Sequence, residues 1–187
     1  MEPRIILDSK KFALTLNRLC HQLIENHGTF SNSVIIGVQP RGIHLADRIV
    51  KLLTEISSQS ILYGKLDISF YRDDFKNKQL NVQDTTINFS IEGKNIVLVD
   101  DVLFTGRTIR SAMDALLDFG RPGKVELLVL IDRRFTRQFP IQADYIGKTI
   151  DSIYSEQVKV DWKETDGKDA VWIMKEQKEE LIKVKST

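Results

Sequence analysis

The sequence predicts an α/β fold: a mostly parallel sheet flanked by helices. Three observations carry this. Val34–Val38, Ile96–Val99 and Val125–Ile131 are continuous apolar runs rich in β-branched residues, too short for helices and suited to buried strands. Amphipathic segments with helical spacing separate the first run from the rest and the second from the third. The resulting order of strands and helices requires crossover connections, which make neighbouring strands parallel.

In chain order, Phe12, Leu16, Leu19 and Leu23 lie on one face of a first helix, with Ala13, Cys20 and Ile24 beside them. Asp8 or Ser9 suits its start and Gly28 its end. After the first buried strand, Gln39–Gly42 turns the chain into a second helix with Ile43, Ala46, Ile49 or Val50, and Leu53 inward. Tyr63–Tyr71 alternates like a strand. From Arg72 to Gly93 the chain is polar and irregular, too long for a plain connector, and reads as a mobile loop or hairpin. Ile96–Val99 leads into a loop over Asp100–Gly106, a helix over Thr108–Phe119 closed by Gly120, and the third buried strand. Short strands follow at Ala143–Ile146, Gln157–Asp161 and Ala170–Met174. Residues 1–174 read as one domain, and 175–187 as a charged tail.

The chain has 187 residues, with 42% hydrophobic and 28% charged, enough for a proper core and too apolar for a disordered chain. A net charge of +1 argues against a protein basic over its whole surface, leaving room for a local basic patch. The single cysteine, Cys20, can form no internal disulfide, which fits a reducing, cytoplasmic setting. No apolar run is long enough to cross a bilayer. His21, His27 and His44 lack metal-ligand spacing, and Trp162 and Trp172 read as packing residues.

The chemistry is concentrated where buried strands end, because ligands of parallel sheets sit beyond the carboxyl ends of the strands. In the run Val97–Thr108, a strand ends in Asp100 and Asp101, and Thr105-Gly106-Arg107-Thr108 opens a helix. Outward N–H groups at a helix start attract an anion. Gly106 permits close approach, Thr105 and Thr108 add hydroxyls, and Arg107 adds charge: a pattern for a phosphate monoester. The paired carboxylates accept hydrogen bonds from sugar hydroxyls or hold a hydrated metal ion. No Walker loop, GxGxxG or GxSxG occurs.

This run resembles the phosphoribosyl-pyrophosphate motif of type I phosphoribosyltransferases. Within that superfamily the sequence is most similar to the bacterial pyrimidine-operon attenuation regulators with uracil phosphoribosyltransferase activity. The similarity extends from about Ile5 to Met174, through Ile36–Gly42, Tyr71–Asp74, Val99–Thr108, Asp118–Pro122 and Pro140–Lys148. It implies that the stretch Asp100, Asp101, Val102, Leu103, Phe104, Thr105, Gly106, Arg107 and Thr108 binds phosphoribosyl pyrophosphate. Asp100 and Asp101 would meet the ribose hydroxyls or Mg²⁺-bound water. Pro40, Arg41 and Gly42 would bind the pyrophosphate. Tyr71, Arg72, Asp73 and Asp74 would begin the lid. Asp132, Arg133, Ile146 and Lys148 would form a small hood around the base. The implied reaction joins uracil to phosphoribose, giving UMP and pyrophosphate with Mg²⁺. The alternatives are an RNA-binding sensor of UMP or UTP with little turnover, and a transferase for another base. Arg18, His21, Arg137 and Lys148 are the expected contacts to a leader RNA, and a homodimer is implied.

The sequence departs from the family in several places. Pro40 stands where relatives have threonine; Gln39–Pro40 can be cis at lower cost than a non-proline bond, and the proline removes an N–H. Phe104 stands where purine-specific members carry an aspartate base, which suits a pyrimidine whose ring proton is more acidic and leaves no general base assigned. The segment Arg134–Pro140 is one residue longer than in the family, and the family's Pro-Thr-Ser is Asp151-Ser152-Ile153. Asn17 and Gln142 replace a family threonine and arginine.

Overall fold

The computed structural model describes residues 3–72, 82–153 and 155–175. The chain divides into two compact units, one of residues 13–152 and one joining 1–12 to 153–187. Asp73, Asp74 and the tail beyond Lys175 lie outside the described residues.

The larger unit holds most of helix α1 (Ser9–His27), strand β2 (Ser33–Val38), α2 (Gly42–Ser57), β3 (Tyr63–Leu66), β4 (Asn95–Leu103), α3 (Arg107–Leu116), β5 (Lys124–Arg134) and β6 (Tyr145–Asp151). Its five strands lie in the order β3-β2-β4-β5-β6, every neighbouring pair parallel. Alternate residues of the central strands are buried on both faces, as expected for a sheet covered by helices. Val34, Ile36, Ile96, Leu98 and Val129 meet Ile109, Ala112, Ala115 and Leu116 of α3. Gly37 brings α2 against β2: a Cβ there would sit 2.8 Å from the Ala46 Cβ. The thiol of Cys20 lies 3.8 Å from the Ile49 carbonyl, joining α1 to α2. Burial pushes that thiol up to about 12, so Cys20 acts as a core residue.

The smaller unit contains β1 (Arg4–Leu7), β7 (Glu156–Asp161), the short helix α4 (Lys163–Asp166) and β8 (Ala170–Lys175). The strands form an antiparallel sheet in the order β1-β8-β7. Phe12 and Trp162 meet edge to face at 5.4 Å, and the Trp172 indole donates to Asp161 at 2.8 Å. Both tryptophans serve packing.

Several boundaries differ from the sequence expectations. Asp8, not Ser9, caps α1, its carboxylate accepting from the Lys11 N–H at 2.8 Å. The strand expected over Tyr63–Tyr71 stops at Leu66, because the buried Asp67 carboxylate accepts from the Ser69 N–H and hydroxyl and starts a 3₁₀ turn over Ser69–Tyr71. The same carboxylate accepts from the Gln83 N–H, and Lys65 and Thr86 exchange backbone hydrogen bonds, so the segment returning from the expected lid runs antiparallel along β3. The loop expected at Asp100–Gly106 is shorter: β4 continues through Leu103, with Val102 opposite Ile131 and Leu103 opposite Asp132. The third helix ends at Leu116, and Leu117–Phe119 tighten to a 3₁₀ turn before Gly120 at φ 136°.

Candidate active site at the strand ends

In a sheet of order β3-β2-β4-β5-β6, the chain leaves β2 in one direction and β4 in the other, which opens a crevice between their carboxyl ends. The two loops singled out by sequence leave these two strands. Gln39–Pro40 is cis. Gly42 lets this turn touch β4: a Cβ there would lie 2.4 Å from the Val99 carbonyl oxygen and 2.9 Å from the Asp100 Cα. The Arg41 Nε donates to Asp101 Oδ2 at 2.8 Å, joining the expected pyrophosphate turn to the expected ribose carboxylates.

Asp100 and Asp101 are both buried. Asp100 Oδ1 accepts from the Asp101 N–H at 2.9 Å. Burial and then the neighbouring Asp101 charge hold the Asp100 carboxyl well above the usual carboxylate range, against the pull of the Asp101 N–H, Arg41 and Arg72. A cation entering here would relieve that penalty, so the pair fits Mg²⁺. Among the described residues, no group of three or more His, Cys, Asp or Glu side chains stands ready for a metal. Two carboxylates suit an ion that takes its other ligands from water and substrate phosphate.

Beyond the carboxylates, Gly106 adopts φ 89° at the start of α3. The segment after β5 lies behind this turn. The Gln138 and Phe139 N–H groups donate to the Thr105 carbonyl at 2.9 and 3.2 Å, and Thr136 Oγ1 donates to the Phe104 carbonyl at 3.3 Å. Arg107 Nε donates to Gln138 Oε1 at 2.8 Å, and the guanidinium groups of Arg107 and Arg110 lie 5.7 and 5.6 Å from the Phe139 ring centre.

The residues expected around the base divide. Asp132 and Arg133 end β5 and are buried. Arg133 packs its guanidinium 3.9 Å from the Phe104 ring centre and donates to Ser152 Oγ at 2.8 Å. Ile146 lies lower on β6, opposite Val129, and packs against the core under α3. Lys148 is exposed, one residue beyond Gly147. Tyr71 bonds through its hydroxyl to Asp118 and through its carbonyl to Ser111 Oγ at 3.0 Å, and is thus fastened to the α3 region. Arg72 acts on Asp100 by charge.

Of the expected RNA contacts, Arg18 and His21 are exposed on α1. Arg18 Nη2 donates to the Ile146 and Gly147 carbonyls at 3.1 and 2.5 Å, which places α1 beside Lys148. Arg137 differs from its expectation. Its guanidinium turns inward, with Nε donating to Ile141 O at 3.0 Å, Nη1 to Leu103 O at 3.2 Å, Phe104 O at 2.5 Å and Arg133 O at 3.0 Å, and Nη2 to Asp132. Four of these bonds go to backbone carbonyls and one to a carboxylate, which ties the guanidinium to the protein's own backbone. Thr136, Gln138 and Phe139 carry no motif of their own; the extra residue in this segment was their only trace in the sequence.

Turns after β2 and β4 that meet beside buried carboxylates at the carboxyl ends of a parallel sheet fit a phosphoribosyltransferase, and the chain belongs to the phosphoribosyl transferase domain family, whose model matches residues 4–165. Its curated relatives carry a more particular name. A protein of Desulfosudis oleivorans named "Bifunctional protein PyrR" is 49% identical over 174 residues, 91% of this chain and 96% of that one. Proteins of the same name from Haemophilus ducreyi and Bacillus cereus are 44% and 43% identical over 88% and 92% of this chain, and over 92% and 97% of their own length. Among solved structures, a hypoxanthine phosphoribosyl transferase of Trypanosoma cruzi superposes with a TM-score of 0.69 at 16% identity, covering 92% of this chain and 91% of that one. A hypoxanthine phosphoribosyltransferase of Staphylococcus aureus gives 0.66 at 21%, covering 90% of both. At such identities the likeness establishes the fold.

Proposed function

We propose that the chain transfers phosphoribose from phosphoribosyl pyrophosphate to uracil, releasing pyrophosphate and UMP, and that it also binds RNA to regulate pyrimidine synthesis, working in the cytoplasm as a homodimer whose residues 1–174 act as one domain. The observation that carries the catalytic reading is the ion pair of Arg41 with Asp101, at 2.8 Å, across the crevice between β2 and β4. It puts a cation for the leaving diphosphate beside an acceptor for the sugar. The name shared by the curated relatives supports the bifunctional reading.

In this scheme the first N–H groups of α3 and the hydroxyls of Thr105 and Thr108 hold the 5-phosphate, with Arg107 neutralising charge nearby. Asp100 and Asp101 accept from the ribose hydroxyls. Their negative charge favours the cation-like sugar as its bond to the diphosphate breaks. Arg41 and the Gly42 N–H receive the departing oxygens. Asp100 and Asp101 would hold Mg²⁺, which when bound would supply positive charge for the leaving group. Arg133, stacked on Phe104 beside Asp132, forms the wall against which the base rests, and Lys148 lies further out. Arg72, Asp73 and Asp74 would cover the diphosphate and exclude water.

The test is pyrophosphate release with Mg²⁺ and uracil, hypoxanthine, guanine, orotate or no base. Release with uracil alone is the expected result. Release only with a purine, or no release with any base, overturns it. The RNA reading is favoured by the contact of Arg18 with the Gly147 carbonyl, which gathers Arg18, His21 and Lys148 at one face. Leader RNA affinity should fall steeply with salt and drop on the double change Arg18→Ala, His21→Ala. Unchanged affinity would exclude that face.

A further inference from the structure

We infer that Arg137 is a positioning residue for the transferase reaction: it clamps the backbone behind the phosphate turn, so that the turn's N–H groups point into the site. The inference rests on the phosphoribosyl reading of that turn.

A trans peptide is planar, with its C=O and the next residue's N–H on opposite sides. Fixing a carbonyl from behind therefore aims the following N–H forward. The Phe104 carbonyl is held by Arg137 Nη1 at 2.5 Å and by Thr136 Oγ1 at 3.3 Å, which sets the Thr105 N–H. The Thr105 carbonyl is held by the Gln138 and Phe139 N–H groups, which sets the Gly106 N–H. The segment Thr136–Phe139 thus takes two successive carbonyls, leaving two successive N–H groups turned the other way. Such a concave pair suits an anion. Arg137 adds a second link. Nη1 also reaches the Arg133 carbonyl at the end of β5, and Nη2 reaches Asp132. One planar, always charged group joins the end of β4, the phosphate turn and the base-side carboxylate. Its side chain is 23% exposed. Lysine has one nitrogen and cannot span these acceptors.

Small errors in aim are costly to a preorganised site, on the order of 10²-fold for a misplacement of about 1 Å. Arg137→Ala and Arg137→Lys should each lower kcat/KM for phosphoribosyl pyrophosphate by about 10–100-fold, chiefly through KM, with a smaller change in KM for uracil. Millimolar guanidinium should restore part of the activity of Arg137→Ala and leave the wild type unchanged. Circular dichroism and a melting curve establish that each variant is folded; if Arg137→Ala does not fold, Arg137→Lys carries the test through its KM-against-kcat split. An active wild type with an unaltered folded variant overturns the inference. A loss that falls equally on both substrates and ignores guanidinium also overturns it. An inactive wild type would instead overturn the phosphoribosyl reading.

Discussion

Asp100 and Asp101 are adjacent in sequence and do different things. Asp101 meets Arg41, whereas Asp100 bonds its neighbour's N–H and is held by burial above the usual carboxylate range. Asp101→Asn should lower kcat/KM by about 10²-fold or more while leaving RNA affinity intact; equal turnover in a steady-state assay would remove Asp101 from the sugar site. Asp100→Asn should also lose activity, yet raise Tm. Because the folded-state pKa is raised, the folded state holds its proton longer than the unfolded one, and stability falls as pH climbs above the ordinary carboxylate value. An amide removes that cost, and each kcal/mol gained lifts Tm by about 2–4 °C for a chain of this size. Calorimetry at pH 7 decides it; a lower Tm would mean the carboxylate is not penalised. The acidic pair was legible in the sequence because strand, carboxylates and turn are contiguous. The role of Arg137 was not, because its acceptors Phe104 and Leu103 lie 33 and 34 residues away, and a lone arginine in a polar segment reads as solvated.

At the scale of elements, the buried strands and helices followed from apolar periodicity, and their ends did not. β4 runs on through two aspartates and Val102 because β5 continues beside it to supply partners, a tertiary effect that local polarity conceals. β3 is cut short for the opposite reason, the Asp67 carboxylate competing for backbone donors. The start of α3 depends on Gly106 at φ 89°, with the Ile141 Cδ1 and Phe139 Cβ 3.2 and 3.3 Å from a would-be Cβ. Gly106→Ala should cost about 1–2 kcal/mol for the left-handed backbone alone. It should also raise KM for phosphoribosyl pyrophosphate, measured by initial rates; an unchanged KM would show that the turn tolerates reshaping.

At the scale of the larger unit, the carboxyl end of the parallel sheet has a polar counterpart at the other end. Asn26, His27, Asn95, Lys124, Glu126, Asp144 and Tyr145 line a pocket of about 430 Å³ where β4, β5 and β6 begin. His27 Nδ1 lies 2.9 Å from Ser33 Oγ, and Nε2 lies 3.2 Å from Glu126 Oε2 and 3.1 Å from the Tyr145 hydroxyl. Burial outweighs the Glu126 charge and, with Lys124 adding to it, holds the imidazole below its ordinary pKa of 6.5. The folded state therefore binds this proton less readily than the unfolded one. The stability this confers is complete above about pH 6.5 and is lost as pH falls from there through the folded-state value. Tm should decline below pH 6.5 in the wild type and more gently in His27→Gln. Parallel declines would place the acid sensitivity elsewhere.

Thr86 closes the exposed side of β3 by exchanging two backbone hydrogen bonds with Lys65. An uncovered strand of this kind offers its donors and acceptors to any passing chain. The segment around Thr86 is thus a guard against self-association. Thr86→Pro, which deletes the N–H and leaves the catalytic residues untouched, should yield a protein that is active when dilute and precipitates when concentrated.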